Sequence, residues 1–364
     1  MKIKIFKILF FNLIFIITLF IISEILVRSY LTIRHFKKPY AHYWGNTWHL
    51  VQDKNNTFLR FHEILGTIPK ENTSIKNIKI PRWKNNSDVT INNISMRDNK
   101  NNILSIKKFL LIGDSIAFGE QVSDSETWSS CLEKKINIRI DNAGVGGYGA
   151  FQSVLRGKIE TNNRKYDGII WSIFILDFHR DLDTSNRTRP YLYKEDSLIK
   201  INKPYFRESI LNEKKTIYQN FENFLLQKSF VLWKINSKFS NLISKKEITE
   251  SAKVFHEKIS IEESVNYSFS EFKKLPAKDK IIIIHYLDPF NEKGSEMVEA
   301  RKLKPLIIKN ANKYNIKIID IFDEISKVNK KDINRIWYDH YTAEGNSYVC
   351  DIIDKKIRNI KFIN

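Results

Sequence analysis

The stretch KKFLLIGDSIAFGEQVSDSETW runs from Lys107 to Trp128. Its apolar run, Phe109 to Ile112, breaks off at Gly113-Asp114-Ser115. Such a break is either an ordinary turn, in which Gly, Asp and Ser are common, or the end of a strand that delivers Ser115 to a site. The G-x-S-x-G elbow does not apply, because Ala117 stands where its second glycine would be. The rest of the chain has to separate the two readings.

From Lys107 onward, short β-branched runs alternate with helix-like segments. Strands are expected at 109–113, 137–144, 167–176, 279–287 and 316–321, and helices at 126–136, 150–160, 296–314 and 345–357. Near-continuous apolar strands separated by helices predict an α/β fold with a parallel sheet covered on both faces. Sites in open parallel sheets lie at the carboxyl ends of the strands. Ser115, the glycines of 144–149, Asp177 and His285 would all emerge there. Residues 178–278 interrupt the alternation. They predict a hairpin around Glu195-Asp196-Ser197, then an amphipathic helical stretch with Phe221, Phe224, Leu225, Phe230, Leu232 and Trp233. This insertion is either a cap beside the site or a buttress of the sheet.

A serine nucleophile needs a base, a group that orients the base, and donors for the developing oxyanion. The loop DNAGVGGYGAFQ, 141–152, follows the second strand. Its glycines let the backbone bend sharply and turn an N–H toward a ligand. The segment WYDHYTAEGNSYVCDII, 337–353, carries His340 in a polar loop before the last helix, where a base could reach back to the first strand. His285, ending an apolar strand three residues before Asp288, is its rival.

Taken together, these segments resemble the SGNH, or GDSL-type, hydrolase family over about residues 90–360. The matching residues are Gly113-Asp114-Ser115, Asn142-Ala143-Gly144-Val145-Gly146-Gly147-Tyr148, and His340-Tyr341-Thr342-Ala343-Glu344-Gly345-Asn346. The upstream segment Asn92–Asp98, NNISMRD, also looks like one carried by membrane-anchored members. The resemblance implies a three-layer α/β/α fold and ester hydrolysis or acyl transfer, with no metal or organic cofactor. It makes Ser115 the nucleophile, His340 the base and the N–H groups of Ser115 and Gly147 part of the oxyanion hole. Asp114, Asn142 and Asp177 support them.

Two departures stand out. Leu176 occupies the place of the family's asparagine before Asp177, and an aliphatic side chain cannot donate to an oxyanion. His179 and Arg180, just beyond, are the candidate substitutes. The family also sets an aspartate two or three residues before the histidine, where this chain has Trp337 and Tyr338. That leaves the adjacent Asp339, or Asp332, to orient His340. The sequence therefore supports an esterase or acyltransferase on an acyl ester, such as an acetylated envelope carbohydrate. The alternative is an inactive member of the fold that binds a glycan or partner.

The chain has 364 residues, 42% of them apolar, enough for a sizeable core. Its net charge of +19 comes from lysines scattered from end to end, with no basic stripe interleaved with aromatics, which argues against a nucleic-acid partner. Ile8 to Val27 is apolar apart from Asn12, Thr18, Ser23 and Glu24, follows three lysines, and has no Ala-x-Ala cleavage pattern. Residues 1–28 are therefore expected to be an uncleaved membrane anchor with the main domain on the extracytoplasmic side. Residues 29–105 read as an irregular linker and wrap with a short strand within 87–95, and 106–364 as the hydrolase-like domain. Cys131 and Cys350 lack metal-type spacing and sit amid apolar residues. They read as buried free thiols, with a disulfide as the alternative.

Overall fold

Isoleucine-rich runs build the centre of the molecule because both faces of each strand are covered. The computed structural model describes residues 2–35, 59–78, 86–184, 189–204, 229, 231, 257–286, 294–329, 331–338, 340–360 and 362. Asp288, Asp339 and, apart from Ser229 and Val231, the expected helical stretch from Phe221 to Trp233 lie outside them. The chain forms two units, Met1–Asn56 with Arg207–Phe255, and Thr57–Phe206 with His256–Asn364.

In the first unit, helix α1 spans Lys2–His35. Its segment Phe6–Ser29 is 24 residues long and apolar enough to cross a membrane. At 1.5 Å per residue it reaches about 36 Å, against a hydrocarbon core of about 30 Å. Glu24 pairs with Arg28 at 2.6 Å. The Glu24 carboxylate also accepts from the Ser229 hydroxyl and the Val231 N–H, each at 2.9 Å.

The second unit begins with two antiparallel hairpins. Strand β1 (Leu59–His62) pairs with β2 (Gly66–Pro69), and β3 (Thr73–Ile78) with β4 (Ser87–Ile91). The central sheet then takes β5 (Lys108–Gly113), β6 (Arg139–Asn142), β7 (Gly168–Phe174), β10 (Asp279–His285) and β11 (Lys317–Asp320). The hairpin β8 (Tyr191–Glu195) with β9 (Leu198–Asn202) closes around Asp196 and Ser197. All neighbours in the central sheet are parallel, in the order β11-β10-β7-β5-β6. Renumbered along the chain this is 2-1-3-4-5, a doubly wound order.

After the short helices α8 (Phe322–Ile325) and α9 (Ile333–Ile336) comes α10 (Ala343–Asn359), which packs with α3 (Trp128–Ile136) in one outer layer. In another group, α6 (Ile261–Lys274) packs against both α4 (Ala150–Asn163) and α7 (Ser295–Lys313). Ile281 to Ile284 are fully buried, as are Trp171, Phe269 and Phe272, whose rings meet between α6 and the sheet. Each such side chain contributes about 1.5–3 kcal/mol on burial. The fold is the expected three-layer α/β/α arrangement.

The cysteines correct the expectation of free thiols. Cys131 on α3 and Cys350 on α10 form a disulfide across 219 residues of sequence. Sequence separation carries no distance information, whereas packing α3 against α10 brings the two Cα atoms to 6.1 Å.

Candidate active site

The topological switch point lies between β5 and β7, the two central strands from which the chain winds in opposite directions. Gly113 ends β5 where a Cβ would stand 2.5 Å from the Ser172 carbonyl oxygen and 2.6 Å from Ala117 Cβ. Only glycine lets the two strand ends approach this closely. The one-turn helix α2 (Ser115–Phe118) comes next, and the Asp114 carboxylate caps it by accepting the Ile116 N–H at 2.9 Å. The nucleophile candidate is therefore fixed by a strand end and a cap, and Ser115 is 7% exposed.

The glycine loop after β6 lies against this turn. Asn142 is fully buried; its amide donates to Ala117 O at 2.8 Å and to Ser129 Oγ at 3.1 Å, and its Oδ1 accepts the Gly144 N–H at 3.0 Å. It ties the loop to the turn carrying Ser115. Gly147 sits in the left-handed region, at φ +77°, which favours glycine. Among the described residues, neither the Ser115 N–H nor the Gly147 N–H donates to a protein acceptor.

His340 comes from the short antiparallel ladder of β12 (Trp337–Tyr338) with β13 (His340–Tyr341). Its Nε2 is 2.7 Å from Ser115 Oγ. The Nε2 atom also lies 3.7 Å from a Glu120 carboxylate oxygen, and the Trp337 ring stacks at 6.3 Å. Gln121 Nε2 lies 3.4 Å from His340 Nδ1, while the buried Gln121 Oε1 has no hydrogen-bond partner. Turning the amide over would set Oε1 against Nδ1–H and leave His340 Nε2 bare to accept the serine proton, with the Gln121 NH2 in the buried position that Oε1 vacates.

Asp177 starts helix α5 (Asp177–Arg180) just after β7. The Arg180 Nη1 donates to Asp177 Oδ1, to Tyr148 O at 2.8 Å and to Asp114 Oδ2 at 3.4 Å. Asp114 Oδ2 is in turn 3.3 Å from Ser115 Oγ. Burial, and then the Asp114 charge, raises the Asp177 carboxyl well above its usual range, and Arg180 pulls it back. Burial opposes the Arg180 charge, but Asp177 and Asp114 outweigh it and raise its pKa. Arg180 is thus occupied in bracing the serine turn. His179 faces outward to Glu299 at 3.4 Å. Leu176 caps α5 with no side-chain hydrogen bond.

The rival His285 is fully buried, against Trp128 and Tyr341, and burial lowers its pKa to about 3. It is a neutral core imidazole. Asp332 lies 3.8 Å from Arg335. Among the described residues, no cluster of three or more His, Cys, Asp or Glu side chains has the geometry to hold a metal ion.

Sequence reasoning missed Arg97, Glu120 and Gln121. Arg97 is 1% exposed and donates to Phe118 O at 2.9 Å, to Gly119 O and to Val122 O at 2.5 Å, besides pairing with Asp124 at 3.2 Å. It holds the loop that carries Glu120 and Gln121. The segment NNISMRD pointed to it only as a resemblance. Glu120 and Gln121 directly follow Gly119 in the stretch Lys107–Trp128, with nothing in their spacing to mark them.

No protein-family model matches the chain, and no curated protein matches it in sequence. Several solved structures are similar in fold. A lipase/acylhydrolase from Enterococcus faecalis is 14% identical, covering 70% of this chain and 97% of its own, with a TM-score of 0.40. A lipolytic G-D-S-L family protein from Veillonella parvula is 12% identical, covering 68% and 97%, with a TM-score of 0.40. An acetylxylan esterase from Geobacillus stearothermophilus is 16% identical, covering 72% and 98%, with a TM-score of 0.40.

Proposed function

We propose that this chain is a serine ester hydrolase with Ser115 as nucleophile and His340 as base. The 2.7 Å approach of His340 Nε2 to Ser115 Oγ at the switch point carries the reading. Ser115 Oγ attacks the acyl carbonyl carbon as its proton moves to His340 Nε2, and the carbonyl π pair moves onto oxygen. The N–H groups of Ser115 and Gly147 donate to that oxyanion. When the pair returns, the bond to the alcohol breaks, and the leaving alkoxide takes the proton from Nε2. Water, deprotonated by Nε2, then releases the acid from Ser115. A second alcohol in place of water gives acyl transfer instead. Gln121 and Asp339 are the candidates to orient His340, while Asp114, Asn142 and Asp177 brace the turn and loop around Ser115.

In this reading α1 anchors the chain in a membrane, with the Ser115 unit on the extracytoplasmic side. The Cys131–Cys350 disulfide favours that side, since disulfides persist in oxidising compartments. The substrate is an acyl ester, with an acetylated envelope carbohydrate as the proposed class. Leu176 favours a second reading, a glycan- or partner-binding protein on the same fold.

The test is fluorophosphonate labelling of the full chain in detergent, with the adduct located by mass spectrometry. Label on Ser115 that vanishes in His340→Ala supports the hydrolase. A folded protein that takes no label would favour the binding reading.

A further inference from the structure

The N–H groups of Ser115 and Gly147 are the backbone donors assigned to the oxyanion, and Leu176 at the end of β7 adds only hydrocarbon. The nearby polar side chains are committed elsewhere, Arg180 to Asp177, Asp114 and Tyr148 O, and His179 to Glu299. The space in front of Gly147 differs from that at its neighbours. A Cβ on Gly144 would meet Phe118 N at 2.5 Å, and one on Gly146 would collide with Glu120 Oε1. A Cβ on Gly147 would meet, among the described residues, one heavy atom within reach: Arg189 Nη2, at 4.0 Å. The Gly147 N–H that would hold an oxyanion at about 2.9 Å belongs to the same residue that this guanidinium approaches.

The residues that follow Arg189 fix the course of its backbone. Pro190 and Tyr191 are buried as the chain enters β8, and the Leu192 N–H donates to Asp181 O at 2.8 Å. Among the described residues no carboxylate forms an ion pair with Arg189, unlike Arg97, Arg156 and Arg180. Burial and the Arg180 charge both lower its pKa, against the pull of Asp183, Asp177 and Asp181. Its cation would therefore be steadied by an anion forming in front of it. A guanidinium stays charged at any working pH and carries five N–H donors.

Resting on the hydrolase reading, we infer that Arg189 donates to the oxyanion of the tetrahedral intermediate, beside the N–H groups of Ser115 and Gly147. It gains and loses no proton. The π pair arriving on the carbonyl oxygen meets its positive charge, which is released when the pair returns and the alcohol leaves.

The experiment compares the full chain in detergent with Arg189→Met and Arg189→Lys, using neutral p-nitrophenyl acetate and anionic 4-carboxyphenyl acetate. Arg189→Met is expected to lose about 10²–10³ in kcat on both esters, the usual cost of one oxyanion donor, with KM little changed. Arg189→Lys should recover part of that loss. Fluorophosphonate labelling of Ser115 should slow in parallel, and the thermal midpoint should stay put. Unchanged kcat on the neutral ester in Arg189→Met would overturn the inference. So would a loss confined to the anionic ester, which would make Arg189 a substrate-anion site, or a loss in KM alone. A wild-type chain that neither turns over ester nor takes label would overturn the hydrolase reading itself, and this inference with it.

Discussion

His340 Nε2 stands 2.7 Å from Ser115 Oγ across 225 residues of sequence. Two groups in that relationship act as a unit, so their removal is not additive. Ser115→Ala and His340→Ala are each expected to lower kcat by about 10⁴-fold or more, with the double variant little worse than either. Ester turnover by the full chain in detergent reads this, with circular dichroism as the check on folding. Costs that multiplied in the double variant would mean that the two side chains work separately.

Arg97 is a structural test of the same site. Its side chain is fully buried and its partner Asp124 nearly so. Arg97→Met leaves the Asp124 carboxylate buried without its cation and strands the carbonyls of Phe118, Gly119 and Val122. The expected cost is about 3–5 kcal/mol, the usual penalty for breaking a buried pair, measured by urea denaturation. The loop carrying Glu120 and Gln121 should loosen as well, so kcat should fall even where the variant is still folded.

The Cys131–Cys350 disulfide joins two helices of one layer. Reducing it, or replacing both cysteines by serine, is expected to cost about 2–5 kcal/mol of stability. A lowered thermal midpoint in dithiothreitol checks this. In cells the pair should resist maleimide until reductant is added. Free thiols in the native protein would count against the extracytoplasmic assignment.

His285 sets a pH dependence. Burial depresses its pKa in the folded chain from the ordinary 6.5 to about 3. The unfolded chain therefore binds the extra proton first. The stability that His285 contributes is complete above pH 6.5 and is lost as pH falls toward 3, at up to about 1.4 kcal/mol per pH unit. Urea midpoints at pH 7, 6 and 5 should fall in the wild type and fall less steeply in His285→Phe. Equal slopes would mean that other groups govern the acid limb.

The pattern of the central sheet, and the position of Ser115 just beyond its first strand, were written in the sequence. Runs such as Phe109–Ile112, Gly168–Phe174 and Ile281–Ile284 are apolar on both faces, the pattern of a strand covered on both sides, and their alternation with helical segments points to a parallel sheet. Ser115, the glycine loop and His340 were legible because each sits beside such an element, at a strand end or a helix start. Their surroundings were decided by tertiary structure. Arg97, Glu120, Gln121 and Arg189 belong to loops without periodicity, and their partners lie on other segments. Cys131 and Cys350 meet because α3 lies beside α10, a proximity no local pattern encodes. Hydrophobic periodicity reports which residues are buried. Which polar side chains meet in the space left over depends on how the layers pack.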